Sequence, residues 1–209
     1  MTNKVLIIDY GVGNIRSVYQ SITHLGFDCK VSNSKNEIIN ADKIIFPGVG
    51  AFGSAMRKLN KLDMIEPIIK FKNKGNFILG ICLGMQLMMS KSFEFGEHTG
   101  LNLIDGEVVN LKSIFKKKCD IPHIGWCTLE NIAESKNKIF KNINYLEKYY
   151  FIHSYYSKVF DQDIEVFNSI YSDSKFTSMF ISNNVIGTQF HPEKSGKSGL
   201  KLLYNFLIL

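Results

Sequence analysis

The apolar run from Phe77 to Met85 narrows the fold of this chain more than any other feature. Its first part, Phe77 to Ile81, reads as a buried strand, and it passes without a loop into an apolar helix expected to reach Met89. A strand that enters a helix directly needs a very tight turn, and the junction reads Gly80-Ile81-Cys82-Leu83-Gly84. The residues upstream repeat the strand-to-helix pattern. Val5 to Ile8 is a short, fully apolar run. Gly11 to Gly13 make a turn, and Asn14 is suited to cap a helix carrying Ile15, Val18, Tyr19, Ile22 and Leu25. Phe27 to Val31 and Lys43 to Phe46 read as further strands. After the break at Pro47-Gly48-Val49-Gly50, a helix is expected from Ser54 to about Lys72, interrupted or kinked near Pro67. Strands alternating with helices predict a mostly parallel central sheet with helices on both faces.

The second half predicts a smaller β-rich portion. Short strands are expected at Glu107 to Leu111, Ile121 to Ile124, Tyr149 to Ser157, Ile164 to Ile170, Phe176 to Ile181 and Val185 to Gln189. Asn183-Asn184 reads as a hairpin turn, and a last helix runs from about Ser195 to Phe206. No repeat, low-complexity segment or linker divides the chain, so residues 1–209 are read as one α/β domain.

Composition excludes several classes of function. With 45% hydrophobic and 21% charged residues, the chain is that of an ordinary soluble globular protein. The four cysteines are thinly spread, which is no disulfide framework and fits a reducing cytosol. The first apolar stretch ends at Ile8, too short for a secretion signal, and no run approaches the ~20 residues of a membrane helix. A cytoplasmic protein without membrane contact is expected. The net charge is +6, but the lysines are scattered and the one tight run is Lys116-Lys117-Lys118. No nucleic-acid-binding motif accompanies them, so no nucleic-acid partner is expected.

The Gly-x-Cys-x-Gly junction has the form of a nucleophile elbow with cysteine as nucleophile. Such a turn strains the nucleophile's backbone, and glycines two residues before and after avoid the resulting clash. Cys82 then stands at a helix N-terminus, where the dipole favours an anion, and the Leu83 N–H faces a developing oxyanion. A base is needed. Of the five histidines, His24 reads as surface, His98 as loop, and His123 and His153 as strand residues. His191 is followed by Pro192 and Glu193, which sets a carboxylate beside the imidazole to orient it. A Cys82-His191-Glu193 triad is the resulting expectation.

Other motifs fail on inspection. Gly11-Val12-Gly13-Asn14-Ile15-Arg16 begins like a dinucleotide fingerprint, but Arg16 occupies the third glycine position. Gly196-Lys197-Ser198 resembles the end of a phosphate loop whose upstream glycine is here His191. Cys119, His123 and Cys127 are spaced for zinc on a helix, which Pro122 and Gly125 oppose. No metal or cofactor is expected.

Gly80-Ile81-Cys82-Leu83-Gly84-Met85-Gln86 together with Gln189-Phe190-His191-Pro192-Glu193-Lys194-Ser195 resembles the class I, triad-type glutamine amidotransferases. Four further blocks narrow the resemblance: Asp9-Tyr10-Gly11-Val12-Gly13-Asn14, Pro47-Gly48-Val49-Gly50-Ala51-Phe52, Pro122-His123-Ile124-Gly125-Trp126 and Tyr150-Phe151-Ile152-His153-Ser154-Tyr155. With these the chain is similar, over essentially its whole length, to the glutaminase subunits of imidazole glycerol phosphate synthases.

The resemblance implies hydrolysis of glutamine to glutamate and ammonia through a thioester on Cys82. His191 moves the proton and Glu193 holds His191. It implies an oxyanion hole from the amides of Leu83 and Val49, the Gly48-Val49 peptide reorienting before it donates. It also implies glutamine contacts at Gly48, Gly50, Gln86 and along the strand Ile152, His153, Ser154 and Tyr155. The implied partner is a (β/α)8-barrel synthase, bound as a heterodimer and facing Asn14, Tyr150 and Lys194. In that complex the ammonia serves to make imidazole glycerol phosphate and the purine by-product AICAR in histidine biosynthesis. One residue departs from the pattern: where the family usually has Asn after Gly-Trp, this chain has Cys127, near the implied partner-facing side. Related glutaminase subunits serve sugar amidotransferases in surface-polysaccharide pathways, and an inactive regulatory scaffold is the non-enzymatic alternative.

Overall fold

The computed structural model describes residues 4–115 and 119–209, and the run Lys116-Lys117-Lys118 lies outside the described residues. The first half alternates as expected: β1 (Val5–Ile8), α1 (Ile15–His24), β2 (Cys29–Ser32), α2 (Lys35–Ile39), β3 (Lys43–Gly48), α3 (Phe52–Lys61), α4 (Ile65–Asn73), β4 (Phe77–Cys82) and α5 (Leu83–Leu87). The second half is strand-rich: β5 (Met89–Ser92), β6 (His98–Thr99), β7 (Ile104–Asn110), β8 (His123–Thr128), β9 (Lys148–His153), β10 (Tyr155–Val159), β11 (Glu165–Tyr171), β12 (Ser174–Ser182) and β13 (Val185–Thr188), closed by α6 (Gly196–Ile208).

A seven-stranded sheet in the order β11-β12-β13-β4-β3-β1-β2 forms the centre. From β13 to β2 neighbouring strands are parallel, whereas β11 and β12 are added antiparallel. Both faces of the parallel part are covered, which explains its unbroken apolar runs. Alternate residues feed two separate cores: Val5, Ile7, Ile45 and Leu79 pack with Val18, Leu203 and Phe206 on one face. Leu6, Ile8, Ile44 and Ile78 pack with Leu59, Phe71 and Met85 on the other. Beside this sheet stand a four-stranded sheet, β10-β7-β5-β6, and a two-stranded ribbon, β8-β9. Among the described residues no helix is long and apolar enough to cross a membrane.

Strand register sets the place of the chemistry. Gly48 at the end of β3 pairs with Cys82 at the end of β4, and Thr188 at the end of β13 pairs with Ile81. Three chain segments therefore leave the carboxyl edge of the sheet side by side: the Gly48-Val49-Gly50 loop, the Cys82 elbow and the segment leading to His191. The carboxyl ends of parallel strands are where open α/β sheets form their sites.

Several elements differ from the sequence reading. The helix expected to be interrupted or kinked near Pro67 breaks instead before α4, where Asp63 takes a φ of 50°. Pro67 lies in the first turn of α4, where its missing N–H leaves no intrahelical bond unmade. The helix expected through Met89 stops at Leu87, because the carbonyls of Leu87 and Met88 accept from Leu101 and Leu103 (2.9 Å each). The expected strand Tyr149 to Ser157 divides at Ser154 into β9 and β10, which belong to different sheets. His98 lies in β6 rather than a loop. Asn14 occupies the N-cap position of α1 without a side-chain capping bond, because its amide is engaged elsewhere.

Candidate active site

Cys82 has φ 54° and ψ −109°, a conformation that costs a non-glycine residue about 1–3 kcal/mol. The surroundings enforce it. A Cβ on Gly84 would lie 1.7 Å from the Phe46 carbonyl oxygen, and one on Gly80 would lie 2.8 Å from the Met85 nitrogen. Both glycines expected around the nucleophile are thus required by close approach of backbone. Leu83 is the first residue of α5, so its N–H has no intrahelical carbonyl to meet and is available to a ligand.

His191 follows β13 and is anchored through its own N–H to the Tyr150 carbonyl at 2.9 Å. Pro192–Lys194 forms a single turn of 3-10 helix that folds Glu193 back onto the ring. His191 Nδ1–H donates to Glu193 Oε1 at 2.7 Å, and both side chains are buried. Burial alone pulls the His191 pKa down. The neighbouring Cys82 sulfur and the Glu193 carboxylate outweigh it and push the value up to about 10, so the ring holds its proton at neutral pH. With Nδ1 committed to Glu193, Nε2 is buried and has no hydrogen-bond partner among the described residues. It is the atom left to exchange a proton with Cys82 or with a bound molecule.

Cys82 and His191 line one cavity of about 290 Å³, small enough to suit an amino acid. Of the residues expected to meet substrate or oxyanion, Val49, Leu83, Gly50, Gln86, His153, Ser154 and Tyr155 line the same cavity. Gly48 lies behind this lining. There a Cβ would sit 2.5 Å from Tyr10 Oη and 2.8 Å from Leu83 Cβ, so glycine lets the loop pack onto the elbow. The cavity also contains Ile152, of the strand expected to meet glutamine, and Glu94 and Pro122, to which no site role was assigned from sequence. Glu94 accepts from the Phe52 N–H at 2.5 Å, and burial raises its pKa. An isolated acid in the segment after the elbow carries no local signal of this position; only the return of β5 and β6 past α3 creates it.

A buried polar network backs the cavity. The Tyr155 carbonyl accepts from Gln86 Nε2 at 3.0 Å and from His153 Nδ1 at 2.9 Å. His153 Nε2 meets His123 Nδ1 at 3.1 Å, and His123 Nε2 meets the Cys127 sulfur at 3.6 Å. Burial lowers the pKa of His153 to about 3 and that of His123 to about 4, so both rings are neutral. The tautomers then follow: a carbonyl only accepts, so His153 carries its hydrogen on Nδ1 and His123 donates from Nδ1, which leaves His123 Nε2 an acceptor that shares the single Cys127 S–H with the Ile170 carbonyl. Both His153 nitrogens are thereby occupied, and its ring supports the cavity wall without a free atom for a ligand.

The residues expected to face a partner lie outside this network. Lys194 is exposed and Tyr150 half-buried next to the His191 turn, and Asn14 reaches under it to Glu193 Oε1 at 3.1 Å. Ile124, Trp126 and Ile152 are exposed on the outer face of the β8-β9 ribbon at the cavity's edge. Cys127 does not belong to that face. Its sulfur turns inward, 3.6 Å from His123 Nε2 and 3.5 Å from the Ile170 carbonyl.

A strained cysteine at a strand-to-helix elbow, a buried histidine–glutamate pair beside it and a small polar cavity between them define a cysteine hydrolase that works through an acyl-enzyme. The family described as "Glutamine amidotransferase class-I" matches residues 6–209, and the chain belongs to that family. It is 40% identical over 210 residues to "Imidazole glycerol phosphate synthase subunit HisH 1" of Legionella pneumophila (strain Lens), spanning 98% of this chain and 99% of that one. It is 44% identical over 200 residues to "Imidazole glycerol phosphate synthase subunit HisH" of Caldanaerobacter subterraneus subsp. tengcongensis, spanning 96% and 95%. The solved structure titled "Structure of PurLQS from Thermotoga maritima" shares the fold with a TM-score of 0.72 at 21% identity, over 100% of this chain and 99% of that chain.

Proposed function

We propose that this chain is the glutaminase subunit of an imidazole glycerol phosphate synthase, hydrolysing glutamine and passing the ammonia to a (β/α)8-barrel partner. The observation that carries the reading is the convergence of Cys82 and the His191–Glu193 pair on one amino-acid-sized cavity, with exposed Ile152 in its lining and exposed Ile124 and Trp126 on the same ribbon. Similarity to synthase subunits over nearly the full chain supports the pathway.

In the reaction, the Cys82 sulfur forms a bond to the side-chain amide carbon of glutamine, and the carbonyl electrons move onto oxygen. The amides of Leu83 and, after its peptide turns, Val49 receive that oxyanion. His191 gives its proton to the amide nitrogen, the C–N bond breaks and ammonia leaves a glutamyl thioester. Water, losing a proton to His191, then attacks the thioester, and the C–S bond breaks to release glutamate. Glu193 holds the ring in the one tautomer that keeps Nε2 toward the sulfur. Both hydrogens of the Gln86 amide are engaged, so Gln86 offers its oxygen to the substrate, and the Glu94 carboxylate receives the α-ammonium. Gly50, Ser154 and Tyr155 complete the enclosure. Ammonia released into neutral water would be protonated and lose its nucleophilic lone pair, so a docked partner is part of the chemistry.

The alternative of a sugar amidotransferase partner drew on Cys127. That sulfur points away from the outer ribbon face, toward His123 and the Ile170 carbonyl, which weighs against a role for it in choosing the partner. An inactive scaffold is disfavoured by the intact triad. The test is glutamine-dependent formation of imidazole glycerol phosphate by this chain mixed with the barrel synthase of the same genome. Efficient coupling is expected. Failure to couple, while the synthase works with ammonium, would overturn the pathway reading.

A further inference from the structure

We propose that Gln189 is a further catalytic residue: its side-chain amide donates a hydrogen bond to the Cys82 sulfur and stabilises that sulfur as the attacking and leaving anion. This rests on the reading of Cys82 as the nucleophile.

Gln189 is fully buried directly after β13, and its backbone N–H is tied to the Ser178 carbonyl at 2.8 Å. The orientation of its amide follows from its neighbours. The Tyr155 carbonyl has no hydrogen to give, so the Gln86 atom 3.0 Å from it is the nitrogen. That nitrogen also lies 3.0 Å from the Gln189 amide, so the Gln189 atom facing it must be the acceptor Oε1. The remaining Gln189 atom is Nε2, and it lies 3.6 Å from Cys82 Sγ, a normal separation for an N–H donor to the larger sulfur. One backbone carbonyl on β10 thus dictates, through two glutamines, that a donor faces the nucleophile.

The two polar contacts of the sulfur have opposite preferences. The Ile152 carbonyl, 4.0 Å away, only accepts and so favours the protonated thiol. The Gln189 amide only donates, and donation to an anionic sulfur is stronger than to a neutral one. When the thioester is hydrolysed, the electron pair of the broken C–S bond returns to sulfur, and the same N–H receives it. The titratable groups facing Cys82 are His191, with Glu193 behind it, and Tyr10. None of the three shares a hydrogen bond with Gln189.

The test compares native protein with Gln189→Glu and Gln189→Met. The glutamate variant keeps the shape and the acceptor for Gln86 but turns the donor into an anionic oxygen; the methionine variant keeps the volume and deletes the donor. The readouts are the pH profile of iodoacetamide alkylation at Cys82, located by peptide mass spectrometry, and kcat and KM for glutamine in complex with the barrel synthase. Both variants are expected to alkylate at least about ten-fold more slowly at neutral pH, with the inflection moved upward, the loss of a hydrogen bond to a charged group. A similar fall in kcat is expected, with KM within about two-fold. Native-like alkylation and turnover in folded variants would overturn the proposal. Absence of selective Cys82 alkylation in the native protein would instead overturn the nucleophile reading. If neither variant folds, the side-chain amide resonance of Gln189 in the native protein decides: it should move when Cys82 is alkylated, and an unmoved resonance counts against the bond.

Discussion

Asn14 donates its side-chain amide to Glu193 Oε1 at 3.1 Å, the same oxygen that receives His191 Nδ1–H at 2.7 Å. A loop residue at the start of α1 thereby holds the carboxylate that holds the catalytic ring. Because Asn14 is also a residue that the proposed partner would face, partner contact and ring orientation share one side chain. Asn14→Ala removes a hydrogen bond to a charged acceptor, which is worth about 1.5–3 kcal/mol. The expected result is a fall of roughly ten-fold or more in kcat/KM for glutamine, with the ammonium-supported reaction of the synthase unchanged. Asn14→Asp, which sets a second carboxylate against Glu193, should be worse than alanine. Steady-state glutaminase assays of the complex check both.

The paired histidines His123 and His153 predict a pH-dependent stability. Both have folded-state values, about 4 and about 3, below the ordinary histidine value, because burial penalises the imidazolium. The unfolded chain therefore binds protons that the folded chain refuses. Stability from these rings is complete above about pH 6.5 and is lost as pH falls toward the folded-state values. Each ring contributes a slope of up to about 1.4 kcal/mol per pH unit. Urea midpoints should fall as pH drops from about 6.5 to 5, before ordinary carboxylates titrate; above about pH 6.5 His191, which keeps its proton up to about 10, lowers them in the other direction as pH rises. A midpoint that stays level through the acidic window would contradict the burial and neutrality of the two rings.

The Cys127 S–H is shared between His123 Nε2 and the Ile170 carbonyl, and an asparagine amide, with two hydrogens, can donate to both. Cys127→Asn is expected to leave coupled turnover with a histidine-pathway synthase within about two-fold, because the side chain faces these two inward groups rather than the outer ribbon face. Cys127→Val, which removes the S–H that His123 Nε2 and the Ile170 carbonyl share, should lower stability by about 1–3 kcal/mol in urea unfolding. Strong gain or loss of coupling in the asparagine variant would show that residue 127 acts at the partner surface after all.

Much of the frame was legible in sequence because it is written in short-range signals. Val5 to Ile8, the Gly80 to Gly84 turn and the Asn183-Asn184 hairpin carry their geometry in adjacent residues, and each forms where expected. The reading failed where distant backbone intervenes. Nothing near Met88 signals that its carbonyl will be taken by Leu103 and Ile104, which ends the elbow helix early. The site divides in the same way. Cys82, His191 and Glu193 announce themselves by their neighbours, whereas the cavity wall at Gln86 and Ser154 was expected only through the family resemblance. Glu94 and Gln189 do not, since one reaches the cavity through β5 and β6 and the other acquires its orientation from a carbonyl on β10. The inward turn of the Cys127 sulfur was not read from sequence, although strand alternation gives it: Trp126 faces out, so its neighbour faces in.

The most direct measurement of the central claim is product formation by the complex carrying Cys82→Ala, supplied first with glutamine and then with ammonium. The division of labour predicts no glutamate and no glutamine-dependent product, because the sulfur that forms the thioester is gone. It also predicts native product formation with ammonium, because the partner's chemistry does not involve this chain's nucleophile. Residual glutamine-dependent turnover near the native rate would contradict the role of Cys82. Loss of the ammonium-supported reaction in an intact complex would contradict the assignment of this chain to ammonia supply alone.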